Sequence, residues 1–265
     1  MSTKAVAVAA PVAADVVISP SRFAALAEQA KVAAASERPN ISKINLKAGQ
    51  ITVGGVAVEN NKLEAVILAA TYRNTFYKGR YDPNNIVNPN CFALSETDDD
   101  VVPSPDVTTP EHPTCEGCPR AEWGSDLNGG RGKACKQTRR LVLLPANALE
   151  SPDTIKIAEL AIVDVPVTSV KNYSQYINVL SASIGLPAWA VVTEMSTKPD
   201  AKTQFKVEFK GIKAAGGDAV IDALEIRKVE AVRIGLIGYD ASNDEEPEKQ
   251  DAPAKKVTKK VTKKF

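Results

Sequence analysis

Residues 41–77 read ISKINLKAGQITVGGVAVENNKLEAVILAATYRNTFY, and for most of this stretch the apolar positions recur every second residue. Ile44 and Leu46, Ile51 and Val53, then Val56 and Val58 alternate with polar or small residues, the period of a half-buried strand. Gly54-Gly55 and Asn60-Asn61 separate these runs, and both pairs tolerate the positive φ of tight hairpin turns. Leu63 to Tyr77 follows as one long strand, apolar on both faces at first and alternating afterwards. The segment is a β-meander. It sets the fold class as mainly β (α+β).

On its C-terminal side, periodicity disappears between Lys78 and Lys136, where Pro, Asp, Asn and Gly accumulate and all four cysteines fall. A connection of this length in a compact domain needs another source of order. Strand-like patterns resume at Arg139–Leu144 and Thr154–Val165. Ser169 to Ile184 predicts a helix, because Tyr173, Ile177, Leu180 and Ile184 recur at three and four with Gly185 at the C-cap and Pro187 beyond. Trp189–Ser196 and Thr203–Lys210 predict a hairpin with Phe205, Val207 and Phe209 on one face, and Asp218 is placed to cap a last helix. Short strands, small turns and two helices indicate an OB-like antiparallel barrel with a large inserted loop. A doubly wound sheet fits poorly, since strands and amphipathic helices do not alternate in the first hundred residues.

The expected organisation is a flexible arm at 1–40 with a short helix opened by Ser19 and Pro20, an OB-like domain at 41–239 with an insertion at 78–138, and a disordered tail at 240–265. The net charge of +1 conceals a segregation in that tail. Asp240, Asp244, Glu245, Glu246, Glu248 and Asp251 form an acidic block, followed by Lys255, Lys256, Lys259, Lys260, Lys263 and Lys264 in a repeated Lys-Lys-Val-Thr pattern. Bulk charge therefore identifies no partner, and local patches must. No apolar run approaches the length of a membrane span. The Ala/Val-rich opening from Ala5 to Val17 mimics a secretory segment, but Pro11 and Asp15 interrupt it and only Lys4 precedes it. His112 is the single histidine of the 265 residues, which excludes two-histidine zinc protease helices and His-based facial triads.

Cys115-Glu-Gly-Cys118 is a CxxC knuckle, with Cys135 17 positions after it and Cys91 24 positions before it. Two thiolates so spaced in a glycine-containing turn can hold one tetrahedral zinc, with distant ligands at the other corners. Cys91, Cys115, Cys118 and Cys135 are the expected ligands of a structural zinc, and His112 could take the place of Cys91. A redox CxxC and unrelated free thiols are the alternatives, although the βαβ context of a thioredoxin is missing. A deaminase centre does not fit, because Thr114 stands where proline should precede the first knuckle cysteine. Around the knuckle gather Arg120, Arg131, Lys133, Lys136, Arg139 and Arg140 with the indole of Trp123. These cations either neutralise a four-thiolate zinc of charge −2 or meet phosphates. Gly129-Gly130-Arg131-Gly132-Lys133 is not a phosphate-binding Walker loop, since Leu127 and Ala134 occupy required positions.

Tyr72-Arg73-Asn74-Thr75-Phe76-Tyr77-Lys78-Gly79-Arg80-Tyr81 interleaves four aromatics with three cations. Alternation puts Tyr72 and Phe76 on one face and Arg73 and Tyr77 on the other. Rings that stack bases beside cations that meet phosphates are what sequence-tolerant single-strand binding requires. The candidate DNA-binding residues are therefore Tyr72, Arg73, Phe76, Tyr77, Lys78, Arg80, Tyr81, Trp123, Lys133, Lys136, Arg139 and Arg140. Asp200, Glu208 and Lys210 follow the order of a magnesium-dependent nuclease, but Lys198-Pro199-Asp200 is equally a turn and Lys206, Glu208 and Lys210 the polar side of a strand. A structural virion protein with a zinc-pinned loop is the third class.

Asn90-Cys91-Phe92-Ala-Leu-Ser, Cys115-x-x-Cys118-Pro119, Trp123-Gly-Ser, Gly132-Lys133-Ala-Cys135-Lys136 and Arg139-Arg140-Leu141 resemble a group of single-stranded-DNA-binding proteins of tailed bacteriophages. Tyr173-x-x-Tyr176, Leu186-Pro187 and Val191-Val192-Thr193 extend the resemblance over about residues 40–240. It implies an OB-like fold, a role in replication or recombination inside the infected bacterial cytoplasm, and no catalysis. Replication or recombination proteins reached through the C-terminal tail are the implied partners. One departure stands out: such proteins often end in an acidic tail with a terminal aromatic, whereas Phe265 here follows lysines.

Overall fold

The computed structural model describes residues 41–79, 87–99 and 101–237, with Ser19, Ser21, Arg22, Ala25, Leu26 and Gln29 from the preceding segment. The chain divides into two compact units, Met1–Asn40 and Ile41–Phe265. In the first, Ser21, Arg22, Ala25, Leu26 and Gln29 are helical. Arg80, Tyr81 and the acidic and lysine-rich tail at 240–265 lie outside the described residues.

The described part of the second unit is a mixed α+β structure built on one curled, mostly antiparallel sheet, half of a barrel in shape. Its strands are β1 (Ser42–Lys47), β2 (Gln50–Val53), β3 (Val56–Ala57), β4 (Lys62–Phe76), β5 (Cys91–Ser95), β6 (Lys136–Pro145), β7 (Ala161–Val165), β8 (Val191–Asp200) and β9 (Gln204–Ala214). Helices α1 (Pro152–Ile157), α2 (Val167–Val179) and α3 (Asp218–Gly235) accompany them. Among the described residues no helix is long and apolar enough to cross a membrane. Strand order is β3-β2-β1-β7-β6-β4-β8-β9, with β5 beside the far end of β4. Every pairing is antiparallel except β1 with β7.

The first three strands follow the sequence pattern, but the meander ends with them: β4 pairs with β6, β8 and β5 and not with β3, and Asn60-Asn61 lies in a short 3-10 turn and not in a hairpin. Gly54 and Gly55 have φ of 54° and 78°, which lets β2 turn directly into β3. Gly49, at φ 81°, forms the β1–β2 turn, and a Cβ on it would meet Phe205 at 3.3 Å. Its carbonyl accepts from the Asn61 amide at 2.8 Å and from the Thr197 hydroxyl. This turn thus rests on the β8–β9 hairpin, and the sheet curls around the space between them.

Both faces of the sheet are packed, so β4 and β6 are apolar on both sides where they cross the middle. On the concave face, Ile67, Leu141, Leu143, Val163 and Val207 meet Tyr173, Tyr176 and Leu180 of α2 and the turn after it. On the opposite face, Val66, Leu68, Val142 and Leu144 meet Ile155 of α1 and Leu224, Ala231 and Ile234 of α3. Burying side chains of this size contributes roughly 1.5–3 kcal/mol each. Strand β4 changes parity between these faces. Its register against β6 shifts between Ile67 and Ala69, so Ile67 and Ala70 both serve the concave face while Leu68 and Ala69 both serve the other.

Four other expectations need correction. Thr154–Val165 is strand only from Ala161; α1 precedes it because Ser151 and Thr154 form a reciprocal capping box with Pro152 in the first turn. A third α-helix therefore joins the two expected. The aperiodic stretch contains a strand, β5, paired along β4 from Tyr72 to Phe76. Trp189 belongs to a short 3-10 turn before β8, and Asp218 is the first residue of α3, with Gly217 as its cap.

Candidate nucleic-acid interface and thiol cluster

Strands β5, β4 and β6 run side by side at one end of the sheet, and their register stacks three rows of residues. Cys91 pairs with Phe76; Ala93 and Gln137 flank Asn74; Ser95 and Arg139 flank Tyr72. Cys135, immediately before β6, shares the parity of Gln137 and Arg139. The rows lead from the cysteines toward the concave core, where both Tyr72 and Arg139 act on the hydroxyl of Tyr173.

All four cysteines are free thiols, each partly buried, and together with His112 and Asn74 they line one cavity. Loop hydrogen bonds bring them there. Cys115 donates its N–H to Val101 at 2.9 Å, and the Cys135 N–H reaches the Arg120 carbonyl at 2.7 Å. Gly117, at φ 69°, closes the knuckle. Burial pushes the Cys135 thiol up to about 12, aided by the neighbouring thiols of Cys115, Cys118 and Cys91. Burial likewise raises Cys115, opposed by a hydrogen bond from Asn74. Without a cation, then, Cys115 and Cys135 resist becoming thiolate. His112 turns Nδ1 to the Thr114 carbonyl at 2.8 Å. Among the described residues no group of three or more His, Cys, Asp and Glu side chains stands as a ready-made metal site.

Around the cluster the expected cations divide into structural ones and presented ones. Glu111 holds Lys78 at 3.0 Å and Arg120 at 3.0 Å, and donation from Lys78, joined by Arg120, keeps its carboxyl below the usual range despite burial. Arg120 also lies 5.1 Å from the ring centre of Phe76, itself only 1% exposed. This network pins the knuckle to the end of β4, so Phe76 is a packing residue and no base-stacking platform. Arg140 is buried and donates to Asp164 at 3.0 Å and to the Ile237 carbonyl at 3.0 Å, while Arg73 meets Asp164 at 3.6 Å. Both lie on the face toward α3 and serve the fold. Tyr77 shares their parity and is half-buried.

What remains forms a continuous strip. The Arg139 guanidinium lies 3.4 Å from the ring centre of Tyr72, a cross-strand cation–aromatic pair. Lys133 sits 5.5 Å from the ring centre of Trp123, whose indole is 79% exposed. Gln137 joins the pairs: its carbonyl accepts from Lys133 at 2.8 Å, and it neighbours Arg139 on the same side of β6. Lys136 is exposed and donates to the Lys133 carbonyl at 2.7 Å. Asn74, Glu111 and Gln137 were not expected from sequence. Asn74 and Gln137 were recoverable, because each lies midway between two expected residues of the same parity.

Asp200 and Glu208 do not converge. Asp200 caps the β8–β9 turn, where the Thr203 hydroxyl and then Lys206 lower its carboxyl to about 2. Glu208 pairs instead with Lys198. Each carboxylate of the nuclease alternative thus has a lysine of its own.

No family model matches the chain, and neither a curated protein nor a solved structure is similar enough to match it.

Proposed function

We propose that the 41–237 region is a non-catalytic single-stranded-DNA-binding module, an OB-like half-barrel whose inserted loop is organised by one structural zinc. The observation that carries this reading is the strip of Tyr72–Arg139 and Trp123–Lys133, two aromatic faces each held beside a cation. An indole exposed to 79% lacks a structural reason at that position and offers a stacking face. The zinc ligands are Cys91, Cys115, Cys118 and Cys135, four sulfurs for a tetrahedral ion. Cys91 is preferred to His112, because its thiol acts on both Cys115 and Cys135. The resemblance to tailed-bacteriophage proteins supports a replication or recombination role in an infected bacterial cytoplasm.

An electrophoretic titration with single-stranded and duplex oligonucleotides, run with magnesium, tests the reading. Retarded, intact single strands are expected; cleavage would indicate the nuclease, and absence of any shift a structural protein. Log affinity should fall with log salt by about 0.7 per phosphate contact. Trp123→Ala and Tyr72→Ala should each weaken binding by roughly 1–3 kcal/mol per stacked base. Trp123→Ala should leave the melting temperature unchanged, so a loss of stability with full affinity would reject the platform.

A second expectation concerns the lysines of the tail. Deleting residues 252–265 should weaken binding and flatten its salt dependence if those lysines meet phosphates. An unchanged salt slope in a fluorescence-anisotropy titration would assign them to another partner.

A further inference from the structure

We infer that metal occupancy and single-strand affinity are thermodynamically coupled through the row of side-chain amides between them, so that each ligand holds the protein ready for the other. The inference rests on the zinc and single-strand reading proposed above, and adds a regulatory link to it.

The row lies one step from each site. Cys135, just before β6, and Gln137 and Arg139 on it occupy successive positions of one parity: a cluster thiol, a polar bridge and a stacking cation. On β4 the corresponding positions are Phe76, Asn74 and Tyr72, and Asn74 is the Cα partner of Gln137. Asn74 is 7% exposed and its side chain hydrogen-bonds the thiol of Cys115. Gln137 accepts from Lys133, the cation beside Trp123. The loop that carries Trp123 is anchored at both ends by the same cluster, through the Ala121 N–H on the Cys118 carbonyl at 2.8 Å and the Cys135 N–H on the Arg120 carbonyl at 2.7 Å.

Loss of the metal would release Cys118 and Cys135 together, and with them the ends of the segment that presents Trp123 and Lys133. The Tyr72–Arg139 pair sits on paired strands and should persist. Metal loss is therefore expected to reduce affinity without abolishing it. Linkage demands reciprocity: a bound strand must tighten metal binding by stabilising the arrangement that the metal needs. Second-shell hydrogen bonds to metal ligands commonly change metal retention by ten-fold or more, so a buried amide on Cys115 is well placed to transmit the effect.

The test uses the full chain loaded with zinc under reducing conditions. Zinc transfer to a chromophoric chelator is followed with and without a saturating thymidine oligonucleotide, and oligonucleotide affinity is measured before and after metal removal. Each ligand should tighten the other by about five-fold or more, with the two equilibrium factors equal. Gln137→Met keeps the side chain's bulk but offers Lys133 no comparable acceptor, so it should retain one zinc per chain while the factor falls toward one. Gln137→Glu restores the acceptor and should restore the factor. If the wild-type protein binds both ligands and neither affects the other, or if Gln137→Met keeps the full factor, the coupling is wrong and the proposed function stands. If the wild-type protein holds no zinc or no single strand, both fall.

Discussion

Cys118→Ser is expected to abolish binding of the proposed structural zinc and unfold the segment between about residues 96 and 134 while leaving the sheet folded. Zinc binding contributes on the order of 10 kcal/mol in small zinc peptides, the largest single contribution expected in this chain. The loss should be confined to the inserted lobe, because neither of the sheet's two apolar cores contains a cysteine. Chelation of the wild-type protein should produce the same state. Limited proteolysis would then cut within 96–134, and far-ultraviolet circular dichroism would change little. Metal analysis finding no zinc in the purified protein, or a Cys118→Ser variant with unchanged protease resistance, would contradict the assignment. Because thiols must lose their protons to bind, zinc retention should weaken as pH falls.

Asp164→Ala carries the second large effect. It removes the carboxylate partner shared by Arg140 and Arg73, and the Arg140 side chain is only 7% exposed. Leaving a buried guanidinium uncompensated costs about 3–5 kcal/mol, and the lower end applies here because Asp164 is 24% exposed and Arg140 keeps its bond to the Ile237 carbonyl. At this size of domain the melting temperature should fall by roughly 6–12 °C. Adding Arg140→Met should recover much of the loss, since the penalty lies in the orphaned charge and not in the missing attraction. Burial raises the Asp164 carboxyl, but Arg140 and Arg73 outweigh it and hold it below the ordinary range. A depressed folded-state value gives stability that is complete above the unfolded value of about 3.9 and is lost as pH falls through the folded one. Chemical denaturation between pH 5 and pH 2 should therefore show the wild-type protein losing more stability than Asp164→Ala; equal losses would remove Asp164 from the account.

The alternation in 41–77 was legible because each of those residues faces either core or solvent. The Gly54-Gly55 turn was legible because glycines occupy its positive-φ positions, whereas the β1–β2 turn places Ala48 at φ 51° and left no such signal. The helix at 152–157 was not, since Ile155 and Ile157 fit a period of two as readily as the start of a helix, and only the Ser151–Thr154 exchange of hydrogen bonds decides between them. Strand β5 was missed because it is five residues long and gains its order from β4. The cations near the knuckle showed the same limit. Arg139 and Arg140 are adjacent and chemically identical, yet one stacks on Tyr72 and the other is buried against Asp164. Their opposite roles follow from which face of the sheet each meets. Local composition contains no such information.

That division returns to the one-residue register shift between Ile67 and Ala69. Everything beyond it along β4 has its sidedness assigned there and nowhere else. Were Leu68 drawn into regular alternation instead of bulging, Arg73, Thr75 and Tyr77 would face the cavity and the strip, and Tyr72, Asn74 and Phe76 would turn toward α3. The aromatic surface, the amide on Cys115 and the ring beneath Arg120 are thus a single frame, set together by the bulge and not residue by residue. Substitutions beyond the bulge can tune each contact, but flattening the bulge with its extra residue kept would exchange the working surface of this protein for its back.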